Sequence, residues 1–196
     1  ALVSGGKWKR WVIESRQFIR GEPILEIGFG PGHLQQYFLS RGKQIFGLDE
    51  SRFMCRSAKK RLQKSNPNRR QSGLCRGIAQ ALPFANNSFS TIVMTFPAHY
   101  ALDEKTIEES QRVLHPKGKM VILLAVRHGG NSLYKRLIRW LFGITHQNPN
   151  TGDIESIWMQ RYSDKGFRVE QIWHQFGEDY LWFILAEKRS IPFAKG

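Results

Sequence analysis

The sequence predicts an α/β fold, a doubly wound and mainly parallel seven-stranded sheet that ends in an antiparallel hairpin. Strand-like and helix-like patterns alternate along most of the chain, which is typical of a parallel sheet covered by helices on both faces. A glycine-rich turn follows the first apolar strand at residues 28–32. Near the other end, two strand patterns are joined by the short connection 177–179, a length that favours a hairpin.

The predicted elements follow from hydrophobic periodicity and from the residues that interrupt it. The sequence Glu22-Pro23 separates the first helix from the first strand, and Gly42 can end the second helix in a left-handed conformation. The sequence Asn66-Pro67-Asn68 ends the third helix. The predicted strands are 23–27, 44–48, 72–76, 90–95, 119–126, 167–176 and 180–188, and the predicted helices are 8–19, 33–40, 51–64, 103–114, 132–144 and 153–165.

Length and composition predict one domain, residues 1–196, with an ordinary globular core. The chain has 196 residues, of which 41% are hydrophobic. No apolar run approaches the roughly 20 residues of a membrane span. Cys55 and Cys75 have neither metal-ligand spacing nor the pattern of a disulfide framework, so we expect a reducing cytoplasm.

The glycine-rich turn ILEIGFGPG predicts a nucleotide-like ligand that lacks a pyrophosphate. Glu26 precedes Gly28, Gly30 and Gly32 at two-residue spacing, and His33 stands where the dinucleotide fingerprint has its third glycine. The Lys-Ser or Lys-Thr pair of a phosphate-binding P-loop is also absent from this turn. S-adenosylmethionine fits these features because its only anionic group is one carboxylate. The alternative is a turn that only lets the strand and the helix pack closely.

The charge of the chain is strongly positive and unevenly distributed. The formal net charge is +14, and residues 52–76 contain nine basic residues and no acidic one. Such a stretch can attract RNA, an anionic membrane surface or an acidic substrate, although a solvated helix face explains it equally well. No sequence motif of a common RNA-binding module accompanies it. The nine are Arg52, Arg56, Lys59, Lys60, Arg61, Lys64, Arg69, Arg70 and Arg76.

Five motifs in order carry a resemblance that spans residues 23–188. They are ILEIGFGPG, GLDES with Met54, GIAQALPFANNSF, RVLHPKGKMVIL and DKGFRVEQI. The chain resembles the class I S-adenosylmethionine-dependent methyltransferases, in particular the group that includes the ubiquinone and menaquinone C-methyltransferases. The resemblance implies the Rossmann-like methyltransferase fold, S-adenosylmethionine as cofactor, S-adenosylhomocysteine as product and no metal.

The resemblance also implies a set of cofactor contacts. Glycines in the turn let the backbone approach the methionine part of the cofactor, where a side chain would collide. Glu26 would receive the ammonium group, and the Asp49 carboxylate would accept from both ribose hydroxyls. As an alternative, Asp49 caps the following helix. The expected cofactor-binding residues are Glu26, Gly28, Phe29, Gly30, Gly32, Asp49, Glu50, Met54, Ile78, Ala79, Thr95 and Phe96.

The adenine end departs from the family pattern at one position. Ile78 stands where the family commonly has an Asp that accepts from the adenine amino group. Ile78 can supply apolar contact but no acceptor, while the backbone N–H of Ala79 can still donate. Met54 is expected either to pack on one face of the adenine or to belong to the core.

Catalysis by such a protein depends mainly on alignment and desolvation, because a sulfonium is already an activated methyl donor. A general base is needed only when the acceptor must lose a proton. Candidates are His99, Tyr100 and His128, each of which is equally explained as a loop or packing residue.

A variable insertion is expected around residues 129–152. Within it, residues 132–144 form an amphipathic pattern with an apolar and a basic side. This pattern suits a lid over an apolar acceptor, a helix lying on an anionic membrane, or plain packing against the sheet.

The leading hypothesis is therefore a cytoplasmic methyltransferase that acts on a small, lipid-like or quinone-like molecule, with peripheral membrane association left open. One alternative is an RNA methyltransferase that uses the basic stretch 52–76. Another is a non-catalytic module that binds S-adenosylmethionine. A dehydrogenase is disfavoured by His33 and by the terminal hairpin.

Overall fold

A computed structural model describes residues 7–65, 73–128 and 151–189, and a seven-stranded sheet forms its centre. The helices are α1 (Trp8–Glu14), α2 (His33–Leu39), α3 (Arg52–Ser65), α4 (Glu104–Val113) and α5 (Thr151–Asp164). The strands are β1 (Ile24–Ile27), β2 (Ile45–Asp49), β3 (Gly73–Arg76), β4 (Phe89–Thr95), β5 (Leu114–His128), β6 (Phe167–Phe176) and β7 (Asp179–Lys188).

The strand order is β3-β2-β1-β4-β5-β7-β6. Strands β1 to β5 pair in parallel, whereas β7 pairs antiparallel with both β5 and β6. The predicted fold class, with its terminal hairpin, is confirmed. The chain order reverses between β1 and β4, and open α/β sheets bind ligands at the carboxyl ends of the strands beside such a reversal.

The core lies on both faces of the sheet. All four residues of β1 are buried, as expected for a central parallel strand covered on both sides. Leu25 and Ile27 pack in one cluster with Tyr162 of α5. Ile24 points to the opposite face and packs in another cluster with Leu34 of α2. This burial holds the end of β1, and therefore the glycine-rich turn, in a rigid frame.

Two element boundaries differ from the sequence predictions. Helix α1 ends at Glu14 and tightens into a short 3-10 helix at Ser15–Gln17, so the helix predicted at 8–19 is too long. Strand β5 begins at Leu114 rather than at residue 119. Leu114 pairs with Phe89, and regular pairing resumes at Lys119 after an irregularity in register.

Part of the predicted architecture lies outside the described residues. The variable insertion 129–152 and its predicted helix 132–144 fall there almost entirely, since α5 begins at Thr151. Within the described ranges, none of the helices is long and apolar enough to cross a bilayer.

Candidate functional site

A cavity of about 330 Å³ opens at the carboxyl ends of β1 to β4. Four separate loops contribute to it because the parallel strands end at the same edge of the sheet. Its lining residues are Ile27, Gly28, Leu48, Asp49, Glu50, Ser51, Gly77, Ile78, Ala79, Gln80, Thr95, Phe96, Ala98, His99 and Tyr100.

The glycine-rich turn depends on glycine for two different reasons. Gly28, Gly30 and Gly32 have φ angles of 75°, 51° and 77°, a region that side chains rarely adopt. A Cβ on Gly32 would lie 2.9 Å from the Cβ of Ala58, so this glycine lets α3 pack against the turn. A Cβ on Gly30 would meet no atom within 4 Å. The backbone at Gly30 is therefore open to a ligand, whereas Gly32 serves packing.

The buried Asp49 carboxylate joins the turn to the start of α3. Its Oδ2 accepts from the backbone N–H of Gly30 at 2.8 Å, and its Oδ1 accepts from the N–H of Ser51 at 2.9 Å. Ser51 Oγ in turn accepts from the N–H of Met54. A carboxylate has about four acceptor sites. Asp49 therefore binds Ser51, the residue that caps α3, and still has acceptor capacity for two hydroxyl groups.

Glu26 lies beneath the turn rather than in the cavity lining. Its Oε2 accepts from Gln35 Nε2 at 2.8 Å, and the same amide nitrogen donates to the carbonyl of Phe46. Burial raises the pKa of the Glu26 carboxyl to about 8, against an ordinary value of 4.5. At neutral pH the carboxyl is largely protonated, and its predicted contact with an ammonium group stays a prediction.

We expect the substitution Glu26→Gln to stabilise the protein at pH 8 and to change its stability much less at pH 5. Glu26 releases its proton near pH 4.5 when the chain is unfolded but near pH 8 when it is folded. The folded state therefore holds an extra proton in this window. The contribution of this proton to the free energy of unfolding is fully present below pH 4.5. It is lost as the pH rises through 8, by about 1 kcal/mol per pH unit.

Urea unfolding at several pH values measures this effect as the difference between the wild type and the variant. Glu178→Gln is the matched control because Glu178 is exposed, so its profile should follow that of the wild type. Parallel profiles for the wild type and Glu26→Gln would contradict the burial of a protonated carboxyl.

Ile78 and Ala79 lie where β3 runs into the cavity. The Ile78 side chain is 50% exposed, whereas Ala79 is buried. Gln80 also lines the cavity and offers an amide there, although it was not among the expected contact residues. Its position four residues after the end of β3 is the only signal that could have found it.

Five of the twelve expected contact residues do not line the cavity, namely Glu26, Phe29, Gly30, Gly32 and Met54. Phe29 is buried in the core at 3% exposure, and Met54 lies partly buried on α3. Ser51, which was not among the expected contact residues, lines the cavity just before α3. A serine just after an acidic strand end and directly before the first residue of a helix is a typical N-cap signal that could have drawn attention to it.

The catalytic candidates differ in their surroundings. Tyr100 Oη donates to the carbonyl of Ile27 at 3.4 Å, and burial raises the pKa of Tyr100 far above its usual value. Its hydroxyl therefore stays protonated at physiological pH. His99 is exposed on the cavity lining. His128 ends β5, and its side chain lies outside the described residues. In the described part of the chain, no group of three or more His, Cys, Asp or Glu side chains could hold a metal ion.

Comparison with known proteins bears on this site directly. Residues 24–118, from β1 to the start of β5, match the family described as "Methyltransferase domain". This match and the relatives below support a class I S-adenosylmethionine-dependent methyltransferase. The matched region contains the glycine-rich turn, Asp49 and every lining residue of the cavity.

Two curated proteins that are similar to this chain are demethylmenaquinone methyltransferases. It is 29% identical over 117 residues to a demethylmenaquinone methyltransferase of Renibacterium salmoninarum, covering 59% of this chain and 46% of that protein. It is 31% identical over 120 residues to a demethylmenaquinone methyltransferase of Thermotoga maritima, covering 60% and 49%. The chain therefore spans about half the length of these two relatives.

Solved structures support the fold. A S-adenosylmethionine-dependent methyltransferase of Methanosarcina mazei superimposes with a TM-score of 0.63 at 22% identity, over 90% of this chain and 97% of the other. A putative methyltransferase of Methanococcus maripaludis gives a TM-score of 0.65 at 21% identity, over 97% and 91%. The arrangement of strands is thus shared even where most side chains differ.

The residues present fit the family's cofactor. Gly30 leaves open space in front of the turn, and Asp49 retains acceptor capacity beside it. Both features lie at the carboxyl edge of the sheet, next to a cavity of a size that is usual for a small ligand.

Proposed function

We propose that the protein transfers a methyl group from S-adenosylmethionine to a small, apolar acceptor. One observation carries this proposal: the Asp49 carboxylate, which binds the N–H of Gly30, lies with Gly28 and the residues that follow β3 and β4 on one cavity. A carboxylate that holds the turn and keeps free acceptor sites suits a nucleoside with two hydroxyl groups.

Specific residues would hold the cofactor. Asp49 would accept from the ribose hydroxyls, and the backbone at Gly28 and Gly30 would lie against the methionine part. Ile78 would contact the base through apolar atoms, and the N–H of Ala79 would donate to it. Glu26, beneath the turn, would support its shape and interact with the ammonium group only after losing its proton.

When bound, the cofactor supplies a methyl group that is already activated by its positive sulfur. The protein's contribution is then to align the acceptor and exclude water. Tyr100 lies 2.5 Å from the position that a Cβ on Gly28 would take, so it fixes the wall beside the turn. Its raised pKa makes it a hydrogen-bond donor rather than a base. His99 is the better candidate to remove a proton from an acidic acceptor.

The cavity has an aromatic side chain where β4 ends, and this is where the acceptor would lie. Phe96 follows β4 with a φ angle of 50°, an uncommon conformation for a bulky residue. The Trp8 ring lies against it, with centroids 4.1 Å apart. An aromatic wall at the strand end suits a planar ring, and two relatives are named demethylmenaquinone methyltransferases. These points support a quinone-like acceptor. The predicted lid at 132–144 lies outside the described residues.

Calorimetric titration tests the cofactor part of the proposal. We expect S-adenosylmethionine and S-adenosylhomocysteine to bind, and NAD not to bind, because the turn lacks the third glycine of a dinucleotide fingerprint. Binding of NAD alone would refute the proposal in favour of a dehydrogenase.

Methyl transfer is then measured with radiolabelled cofactor and 1,4-dihydroxynaphthalene as a planar probe acceptor, with cyclohexanol as a non-planar control. We expect transfer to the planar probe only. Cofactor binding without transfer to either probe or to an extract of small molecules would favour a non-catalytic binding module.

A further inference from the structure

The outward surface of α3 is basic and has no acidic residue. Six of the fourteen residues of this helix are Lys or Arg. Because successive residues in an α-helix are rotated by about 100°, Phe53, Arg56, Lys60 and Lys64 lie along one side. All four are exposed, whereas Ala58 on the opposite side is completely buried. We call these four residues the α3 stripe.

The α3 stripe carries an exposed aromatic ring at the end nearest the cavity. Phe53 is 73% exposed, the highest value among the large apolar side chains of the described residues. It lies two residues after Ser51, which lines the cavity. Ile78, also on the cavity lining, is 50% exposed. Single exposed apolar residues are ordinary, but here two of them lie at the cavity end of a cationic helix face.

We propose that the α3 stripe docks the protein on an anionic lipid bilayer. Clusters of basic residues are attracted to anionic headgroups, and an aromatic side chain at the same level can enter the interface. The inner side of α3 is buried in the protein, so the helix docks by charge and by Phe53 rather than by inserting an apolar face. The stripe lies on the outward side of a helix, where a flat bilayer surface can reach all four side chains.

The same surface is less suited to RNA. Proteins that bind single-stranded RNA combine a positive groove with several aromatic side chains on which successive bases stack. The α3 stripe has one aromatic residue, and Ile78, the exposed apolar residue on the cavity lining, is aliphatic. Docking by this stripe brings the cavity mouth near the lipid phase. This last consequence, delivery of an apolar acceptor from the bilayer, rests on the proposed function.

Vesicle co-sedimentation of the full chain tests the proposal. We expect binding to vesicles made of equal parts phosphatidylglycerol and phosphatidylcholine, and no binding to phosphatidylcholine alone. Added salt should weaken the binding because it screens exposed charges. The double variant Arg56→Glu with Lys60→Glu should bind at least about 25-fold more weakly, since each cation near the surface contributes about fivefold.

A matched control distinguishes the effect of the α3 stripe on vesicle binding from the effect of the protein's net charge. Arg20→Glu with Lys105→Glu changes the net charge by the same amount at exposed positions outside α3 and should bind like the wild type. Phe53→Ser should weaken binding severalfold at every salt concentration without lowering the melting temperature, because its ring is mostly exposed. Equal losses in the two double variants would overturn the proposal, since net charge alone would then explain binding.

Two further results would overturn it. One is the absence of co-sedimentation with the anionic vesicles. The other is displacement from them by polyuridylate RNA together with no effect of Phe53→Ser, which would assign the stripe to nucleic acid. The affinity for S-adenosylhomocysteine, measured on the same variants, should not change. If the wild type lacks that affinity, the proposed function fails while the vesicle result stands.

Discussion

Replacing Asp49 with alanine is expected to lower the affinity for S-adenosylhomocysteine about 100-fold, because two hydrogen bonds from hydroxyl groups to a buried charged acceptor are lost. The substitution also removes the acceptor for the N–H groups of Gly30 and Ser51, which lie 2.8 and 2.9 Å from the carboxylate. The glycine-rich turn and the start of α3 then lose their common anchor. Calorimetry at a fixed pH and salt concentration measures the effect.

Asp103→Ala is the matched control for a helix-capping role. Asp103 caps α4 by accepting from the N–H of Thr106, and it lies outside the cavity lining. Its loss should lower the stability by about 1 kcal/mol while the ligand affinity stays unchanged. If Asp49→Ala also loses stability but binds S-adenosylhomocysteine like the wild type, Asp49 only anchors the start of α3 and the proposed cofactor site is wrong.

Replacing Gly28 with alanine is expected to destabilise the protein by about 3 kcal/mol and to abolish measurable cofactor binding. The φ angle of 75° strains any side chain, and the new Cβ would lie 2.5 Å from Tyr100 Oη. The backbone N–H of Gly28 also donates to the carbonyl of Leu48 at 2.7 Å, so the strain cannot be relieved by moving the turn without breaking this contact. Urea unfolding and calorimetry measure the two effects.

Two variants separate the backbone strain from the collision at Gly28. Gly177 has a φ angle of 63° and open space around its Cα, so Gly177→Ala should show the strain alone, about 1 kcal/mol. Adding Tyr100→Phe to Gly28→Ala removes the colliding oxygen and should recover part of the lost stability. If Gly28→Ala is no worse than Gly177→Ala, Tyr100 does not press on the turn as the structure indicates.

The elements and their order were largely predictable, because the relevant signals are local. Buried parallel strands are continuous apolar runs, as in β1 and the centre of β5, and glycine at positive φ follows from the absence of a Cβ. Boundaries were less predictable. The 3-10 helix after Glu14 and the early start of β5 at Leu114 depend on packing and on pairing with Phe89, which the local pattern does not encode.

The candidate site was predictable where one residue type serves one chemical purpose. Gly28, Asp49, Ile78 and Phe96 were expected from the family resemblance and from their places at strand ends, and all four line the cavity. The sequence did not indicate that Ser51 and Gln80 line the cavity, nor that the Phe29 side chain is buried in the core. These outcomes depend on the direction in which a side chain leaves its loop, and loop conformation is decided by contacts from other parts of the chain.

The sequence by itself determined the alternation of strands and helices, the terminal hairpin and the glycine-rich turn, since periodicity, turn propensity and the sterics of glycine act over a few neighbouring residues. Only the tertiary structure decided that the Asp49 carboxylate bridges the turn and α3, that Tyr100 lies over Gly28, and that Glu26 is buried enough to keep its proton near neutral pH. The physical reason is that distance, burial and pKa depend on groups that are remote in sequence and meet only when the sheet has assembled.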